Sequence, residues 1–261
     1  MPKIAVIADS NCGIMPSEEE KYGIYILPMP VIIDGKTYCE GTDISLVEFY
    51  RRQSQGAVIS TSQPSPGDVT AMWDRLLETH DEIVFIPMSA GLSSTCQTSL
   101  LLAAEEPYKA KVFAVSDHRI SVTHAVAALG GRNLAKTGKS AAEIKEILEK
   151  EAMDATIYIA VDTLEYLKKG GRITAAAAAL GTVLRVKPVL TIQGEKLESY
   201  AKARGMKSAF QTMLDALKHD VSTRLAPLRQ QGKLKIGLAN TAMEADKLEA
   251  FKKELMENFP D

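Results

Sequence analysis

Residues 82–104, EIVFIPMSAGLSSTCQTSLLLAA, put three hydroxyls in a row, Ser93, Ser94 and Thr95, just after a turn at Ser89-Ala90-Gly91. The apolar run Ile83-Val84-Phe85-Ile86 predicts a buried strand that stops at Pro87, and the hydroxyls open a helix expected over 93–105. A helix start carries unpaired N–H groups and the positive end of the macrodipole, so it attracts an anionic group. Hydroxyls are neutral donors, and they suit a single carboxylate better than a multiply charged phosphate cluster. Capping alone accounts for most serines at helix starts. A second hydroxyl cluster, ISTSQPSPGDV at 59–69, also follows a short strand, and the pair of clusters lifts the ligand reading.

Other chemistries fit less well. AKTGKS at 135–140 ends like a phosphate-binding loop, but Asn133 stands where its first glycine belongs, and the segment follows a helix. No GxGxxG follows the first strand, which argues against a dinucleotide. The histidines His80, His118, His124 and His219 have no partners at metal-ligand spacing. An acyl-ester hydrolase would use Ser93 with His118 or His124 as base, yet the frame Ala90-Gly91-Leu92-Ser93-Ser94 is not GxSxG. Three cysteines, Cys12, Cys39 and Cys96, are too few and too scattered for a disulfide framework or a CxxC site.

These clusters need a rigid frame. At 261 residues the chain is long enough for one large domain or two ordinary ones. Charged residues at 25% and hydrophobic ones at 46% are average for a globular protein. A net charge of −2 and a pI near 6.1 argue against a nucleic-acid footprint. The N-terminal MPKIAVIADS turns polar too soon for a signal peptide or a spanning helix, and a soluble, cytoplasmic protein is expected.

Strands are expected at 3–8, within 24–38 around an Asp34-Gly35 turn, at 57–60, 82–86 and 111–115. Helices alternate with them, from Asp43 or Ser45 to about 53, then at 66–78, 93–105 and 121–135. Such alternation indicates a parallel α/β sheet. The texture changes near 137–140, where an amphipathic helix at 140–152 links two domains, 1–152 and 153–261. The second is read as a smaller α+β domain. It has a strand at 155–161, a hairpin at 188–199 around Gly194, a strand at 233–238, and helices at 207–218 and 242–258.

The chain resembles the DegV family of bacterial lipid-binding proteins, which includes the fatty-acid-binding subunits of the bacterial fatty acid kinase. The matching pieces are IADSNCG (7–13), ISTSQPSPGD (59–68), MSAGLSSTCQTS (88–99), VSDHRIS (115–121) and DTLEYLKKGGRI (162–173). No single piece is decisive, but their order and spacing are specific. The resemblance implies a two-domain α/β fold with one long-chain fatty acid between the domains, its carboxylate held by hydroxyls and its tail in an apolar tunnel. The family's threonine in STSQPS falls on Thr61, with Ser62 beside it, and the serine of its SxGLSGT loop falls on Ser93. Ser94 stands where glycine is usual and Cys96 where an aromatic is common, which would narrow or rewire the carboxylate end. Arg172 occupies the position of the KGGR arginine, near the ligand head and the partner face.

The resemblance further implies a carrier of phospholipid metabolism with no chemistry and no cofactor of its own. It would present the bound carboxylate to a separate kinase for phosphorylation to an acyl phosphate, with transient membrane contact. A lipid-responsive regulatory module without a kinase is the other non-enzymatic reading. Lys202, Arg204 and Lys207 offer a docking surface, although an ordinary solvated face accounts for them equally well. Met29, Phe85 and Met88 suit either a tunnel or the core, and the small residues 175–179 suit either a close approach to an alkyl chain or plain helix packing. Family members continue past the last helix into a strand and an HTGPGA-like segment that supplies a histidine, whereas this sequence stops at Asn258-Phe259-Pro260-Asp261. Three readings stand side by side: a longer chain, a trimmed one, or a paralogue without the segment. Loss of the segment would affect phosphorylation competence more than lipid binding.

Overall fold

The apolar, β-branched run at residues 4–8 is buried on both faces, as a central strand of a parallel sheet must be. A computed structural model describes residues 2–179, 186–192 and 196–260. The chain forms two compact units, the first ending at Ala155 and the second beginning at Thr156.

In the first unit β1 (Ile4–Asp9), α1 (Glu19–Tyr22), β2 (Tyr25–Leu27), β3 (Pro30–Ile33), β4 (Lys36–Cys39) and α2 (Leu46–Ser54) are followed by β5 (Ile59–Thr61) and α3 (Pro66–Leu77). Then come β6 (Glu82–Ile86), α4 (Thr95–Ala104), β7 (Val112–Ala114), α5 (Ser121–Lys136) and α6 (Ala141–Lys150). Four strands make the expected parallel sheet in the order β2-β1-β6-β7, with Ile4 opposite Glu82 and Ala8 opposite Ile86. The period of two along a strand divides the core. Val6, Ala8, Val84 and Ile86 face α5 and α6, packing with Ala127, Ala128, Ile144 and Leu148. Ala5, Ile7, Ile83 and Phe85 face α3, packing with Val69, Trp73 and Leu76. Gly131 lets α5 lie close to the sheet, since a Cβ there would meet Ile86 Cδ1 at 3.3 Å.

The strand expected at 57–60 does form, as β5, but outside the parallel sheet. It pairs antiparallel with β3, Val31 opposite Thr61, in a separate sheet of order β4-β3-β5. The Asp34-Gly35 turn folds β4 onto one edge of β3, and β5 takes the other edge. Helix α3 starts where its signals say it should. Ser65 accepts from Asp68 N–H at 3.1 Å, Asp68 accepts from Ser65 N–H at 3.1 Å, and Pro66 fills the first turn.

The second unit contains β8 (Ile157–Ala160), α7 (Glu165–Gly170), α8 (Ala175–Ala178), β9 (Val186–Ile192) and β10 (Glu198–Arg204). Helices α9 (Met206–Ser222), α10 (Ala226–Gln230) and α11 (Ala245–Asn258) follow. The strands form an antiparallel sheet in the order β10-β9-β8, covered by α9 through Ala209, Phe210 and Leu214. β9 and β10 are the arms of the expected hairpin, and its Gly194 lies outside the described residues, as do residues 180–184 of the run after α8. The strand expected at 233–238 is not formed. Leu234, Ile236 and Leu238 alternate in burial with exposed Lys233, Lys235 and Gly237, so the period of two survives. A strand also needs a neighbouring edge to bond, and among the described residues none pairs with this segment.

Candidate functional site

In a parallel sheet the connections leaving β1 and β6 run opposite ways, to β2 on one side and β7 on the other. Ligand sites of such sheets lie outside the carboxyl ends of the two strands flanking that switch. The β1 end is Asp9 and the β6 end leads through Pro87 into the hydroxyl turn.

That turn is organised by its own serines. Leu92 and Ser93 N–H donate to Ser89 C=O at 3.0 and 3.1 Å, and Gly91 N–H donates to Ser89 Oγ at 3.3 Å. Helix α4 begins at Thr95, two residues later than expected. Ser93 Oγ accepts from Thr95 N–H at 3.2 Å and lies 2.8 Å from Thr95 Oγ1, so the two hydroxyls share a hydrogen bond. Ser94 is exposed, has helical dihedral angles and makes no side-chain cap. The first turn carries no acidic residue, leaving its positive end uncompensated by a carboxylate of its own helix.

The second cluster reaches the same helix. Thr61 ends β5 and Ser62 continues the strand direction with its N–H toward Pro30 C=O at 3.5 Å, and both side chains are exposed. Gln63 Oε1 then accepts from Thr98 Oγ1 at 3.1 Å. This side-chain bond ties the segment bearing Thr61 and Ser62 to the beginning of α4, a conjunction of two stretches 35 residues apart.

Beneath the turn lies a buried polar group of residues. Asp9 Oδ1 accepts from Asn11 N–H and Nδ2 at 3.1 and 2.9 Å, and Asp9 Oδ2 accepts from Met88 N–H at 2.7 Å. His124, on α5, places Nε2 2.7 Å from Ile86 C=O. Ser89 N–H donates to Arg119 C=O at 2.8 Å, and Arg119 N–H to Asp117 Oδ1 at 3.1 Å. Asp9, Asp117 and His124 are 0%, 1% and 0% exposed, too enclosed to meet a ligand directly. Among the described residues Asp117 Oδ2, Arg119 Nε and His124 Nδ1 have no hydrogen-bond partner, although His124 Nδ1 lies 3.9 Å from Asp9 Oδ1. Burial pushes the Asp117 carboxyl above the usual range, against the lowering pull of His124 and Arg119. Burial also raises Glu40, although Ser10 Oγ donates to it at 2.6 Å. The sequence places Asp9 and Asp117 in the pieces IADSNCG and VSDHRIS without singling either out. An aspartate at or within three residues of the end of an apolar strand was the available signal for both.

Ser93 Oγ is engaged with Thr95, and the fully buried His124 directs Nε2 at a backbone carbonyl. His118 is half-buried in a left-handed conformation with φ +57°. The cysteines are free thiols; burial pushes Cys12 up to about 11 and raises Cys96, as for core residues rather than nucleophiles. Among the described residues no group of three or more His, Cys, Asp or Glu side chains could hold a metal ion, and no helix is long and apolar enough to cross a membrane. Phe85 is fully buried, its ring 6.0 Å from Trp73, a core position, and Met29 and Met88 are buried near the strand ends.

Arg172 belongs to the second unit. It follows α7, whose end is set by Gly171 at φ +69°. Its Nη1 donates to Gly170 C=O at 2.6 Å, and its own C=O accepts from Leu197 N–H at 3.0 Å. Lys202 and Arg204 lie on the exposed face of β10 on either side of buried Ala203, and Lys207 is exposed on α9.

Comparison with known proteins places the chain. The model of the DegV family, described as uncharacterised proteins, matches residues 3–261. Protein DegV of Bacillus subtilis is 30% identical over 229 residues, 87% of this chain and 80% of that protein. A DegV domain-containing protein of Caldanaerobacter subterraneus is 30% identical over 219 residues, 84% of this chain and 78% of that protein. Among solved structures, a fatty-acid-binding DegV family protein from Thermus thermophilus superposes with a TM-score of 0.75 at 31% identity, covering 85% of this chain and 79% of that one. DegV of Bacillus subtilis, described as a fatty acid binding protein, superposes with a TM-score of 0.81 at 26% identity over 100% of this chain and 90% of that one. With the family model spanning nearly the whole sequence, the chain belongs to the DegV family.

Proposed function

We propose that the protein binds a long-chain fatty acid and presents its carboxylate to a separate kinase. Thr61 and Ser93 hold the carboxylate at the start of α4, with Ser62 and Ser94 assisting. The observation that carries this reading is the Gln63–Thr98 bond, which fastens one hydroxyl cluster to the helix opened by the other. The solved relatives from Thermus thermophilus and Bacillus subtilis, which bind fatty acids, support it.

The chemistry is consistent. A carboxylate leaving water needs several donors, and charge-assisted hydrogen bonds from hydroxyls together with a helix N-terminus supply them. Burying ~15 methylenes at about 0.8 kcal/mol each yields roughly 12 kcal/mol, comparable to the upper part of the association penalty of about 4–15 kcal/mol. Tail burial gives retention, and the hydroxyls give orientation. In the kinase step one carboxylate oxygen attacks the γ-phosphorus of ATP, ADP leaves, and an acyl phosphate results. Arg172 stabilises phosphate or docks the kinase, a role that rests on its place in the KGGR motif, and Lys202, Arg204 and Lys207 provide positive charge for that partner.

Extraction of the purified protein under denaturing conditions, followed by mass spectrometry, tests the lipid claim. A near-stoichiometric long-chain acyl species is expected from protein made in cells, and its absence there and after incubation with oleate would overturn the reading. ATP-dependent formation of oleoyl phosphate with a fatty acid kinase catalytic subunit tests the second step separately.

A further inference from the structure

The hydroxyl turn hangs from two backbone groups at the end of β6, each held by a buried side chain distant in sequence. Met88 N–H donates to Asp9 Oδ2 at 2.7 Å, and Ile86 C=O lies 2.7 Å from His124 Nε2. A carbonyl can only accept, so the geometry assigns the Nε2 proton to that bond. Pro87, between them, has no N–H to contribute. The pairing of β1 with β6 ends at Ala8–Ile86, so beyond that pair the chain is steered by these side chains and by the Ser89–Arg119 backbone bond. A buried carbonyl or N–H deprived of its partner is costly, and a shift of the segment toward water or another group relieves that cost.

We propose that Asp9 and His124 are positioning residues for the ligand-head site. Neither is accessible to the ligand. Together they set the height and direction of the turn that delivers Ser93 and the N–H groups of α4. A displacement of about 1 Å there misaligns several donors at once, and such small displacements lower the efficiency of oriented groups disproportionately. The inference rests on the fatty-acid reading above.

The test titrates delipidated protein with cis-parinaric acid, a fluorescent fatty acid, at neutral pH, with folding followed by circular dichroism. In H124Q the glutamine Nε2 can still reach Ile86 C=O; in H124L the donor is gone. H124L is expected to lose at least tenfold in affinity while remaining folded, and H124Q to stay within about threefold of the wild type. Ile144→Ala, which opens a cavity in the same core, should lower the melting temperature without a comparable loss of affinity. If H124L does not fold, Asp9→Ala replaces it and must show the same selective loss, because Met88 N–H then has no side-chain acceptor.

Affinity in H124L equal to the wild type, an H124Q loss as large as that of H124L, or an equal loss in I144A would each overturn the positioning role. Failure of the wild type itself to bind the probe would instead count against the fatty-acid reading.

Discussion

A hydroxyl that caps a helix is usually occupied, and the Ser93–Thr95 pair shows how one can cap and still bind. Thr95 N–H and Ser93 Oγ make the cap, and the bond between the two hydroxyls can be donated by either. When Thr95 donates, the Ser93 proton is free to point at a carboxylate. A serine so arranged has an oxygen that accepts two bonds, both from Thr95, so fluorophosphonate probes should leave Ser93 unlabelled; stoichiometric labelling would establish a nucleophile instead. Asp117 supplies a pH-dependent prediction. Its folded-state carboxyl is raised by burial, so the folded state holds the proton more tightly than the unfolded state does. That contribution is present below the ordinary aspartate range and is lost as pH rises through the folded value. Asp117→Asn removes it, so the stability of the variant relative to the wild type should increase from about pH 4 upward, measured by urea unfolding. A difference that does not change with pH would contradict the burial account.

The elements that position the site differ in how locally they are encoded. Strands β1 and β6 and helix α3 are written in contiguous residues: apolar β-branched runs, then Ser65-Pro66 with Asp68 at the capping-box spacing. These were legible. The partner of β5 was not, because pairing with β3 depends on a hairpin formed more than twenty residues earlier and not on the strand's own composition. The segment 233–238 shows the converse, an alternation that is readable while, among the described residues, the ladder it implies is not made. Trp73 joins α3 to the sheet, edge-on to Phe85 and Tyr108 at 6.0 and 5.1 Å, and it is 1% exposed. Trp73→Ala is expected to destabilise the first unit by about 3–5 kcal/mol in denaturant unfolding. A loss under 1 kcal/mol would mean that α3 is held by its caps and not by this contact.

At the scale of the molecule each unit has its own core, one on the two faces of a parallel sheet and one where α9 covers an antiparallel sheet. The hydroxyl clusters were visible as sequence motifs, but their junction through Gln63 and Thr98, and the burial of Asp9 beside Met88 79 residues away, arise only from topology. The switch of strand order between β1 and β6 brings Asp9 beside the hydroxyl turn, the segment after β5 reaches α4 from a separate sheet, and no local pattern announces either.

Binding of the ligand's head depends on the grip of the two hydroxyls. Thr61→Val with Ser93→Ala removes both alcohol donors and leaves the Gln63–Thr98 bond intact. Hydrogen bonds to a charged group are worth about 1.5–3 kcal/mol each, so the double variant, titrated with oleate by calorimetry, should bind roughly a hundredfold or more weakly while remaining folded. Wild-type affinity in that folded variant would contradict the claim that alcohol side chains hold the ligand's carboxylate.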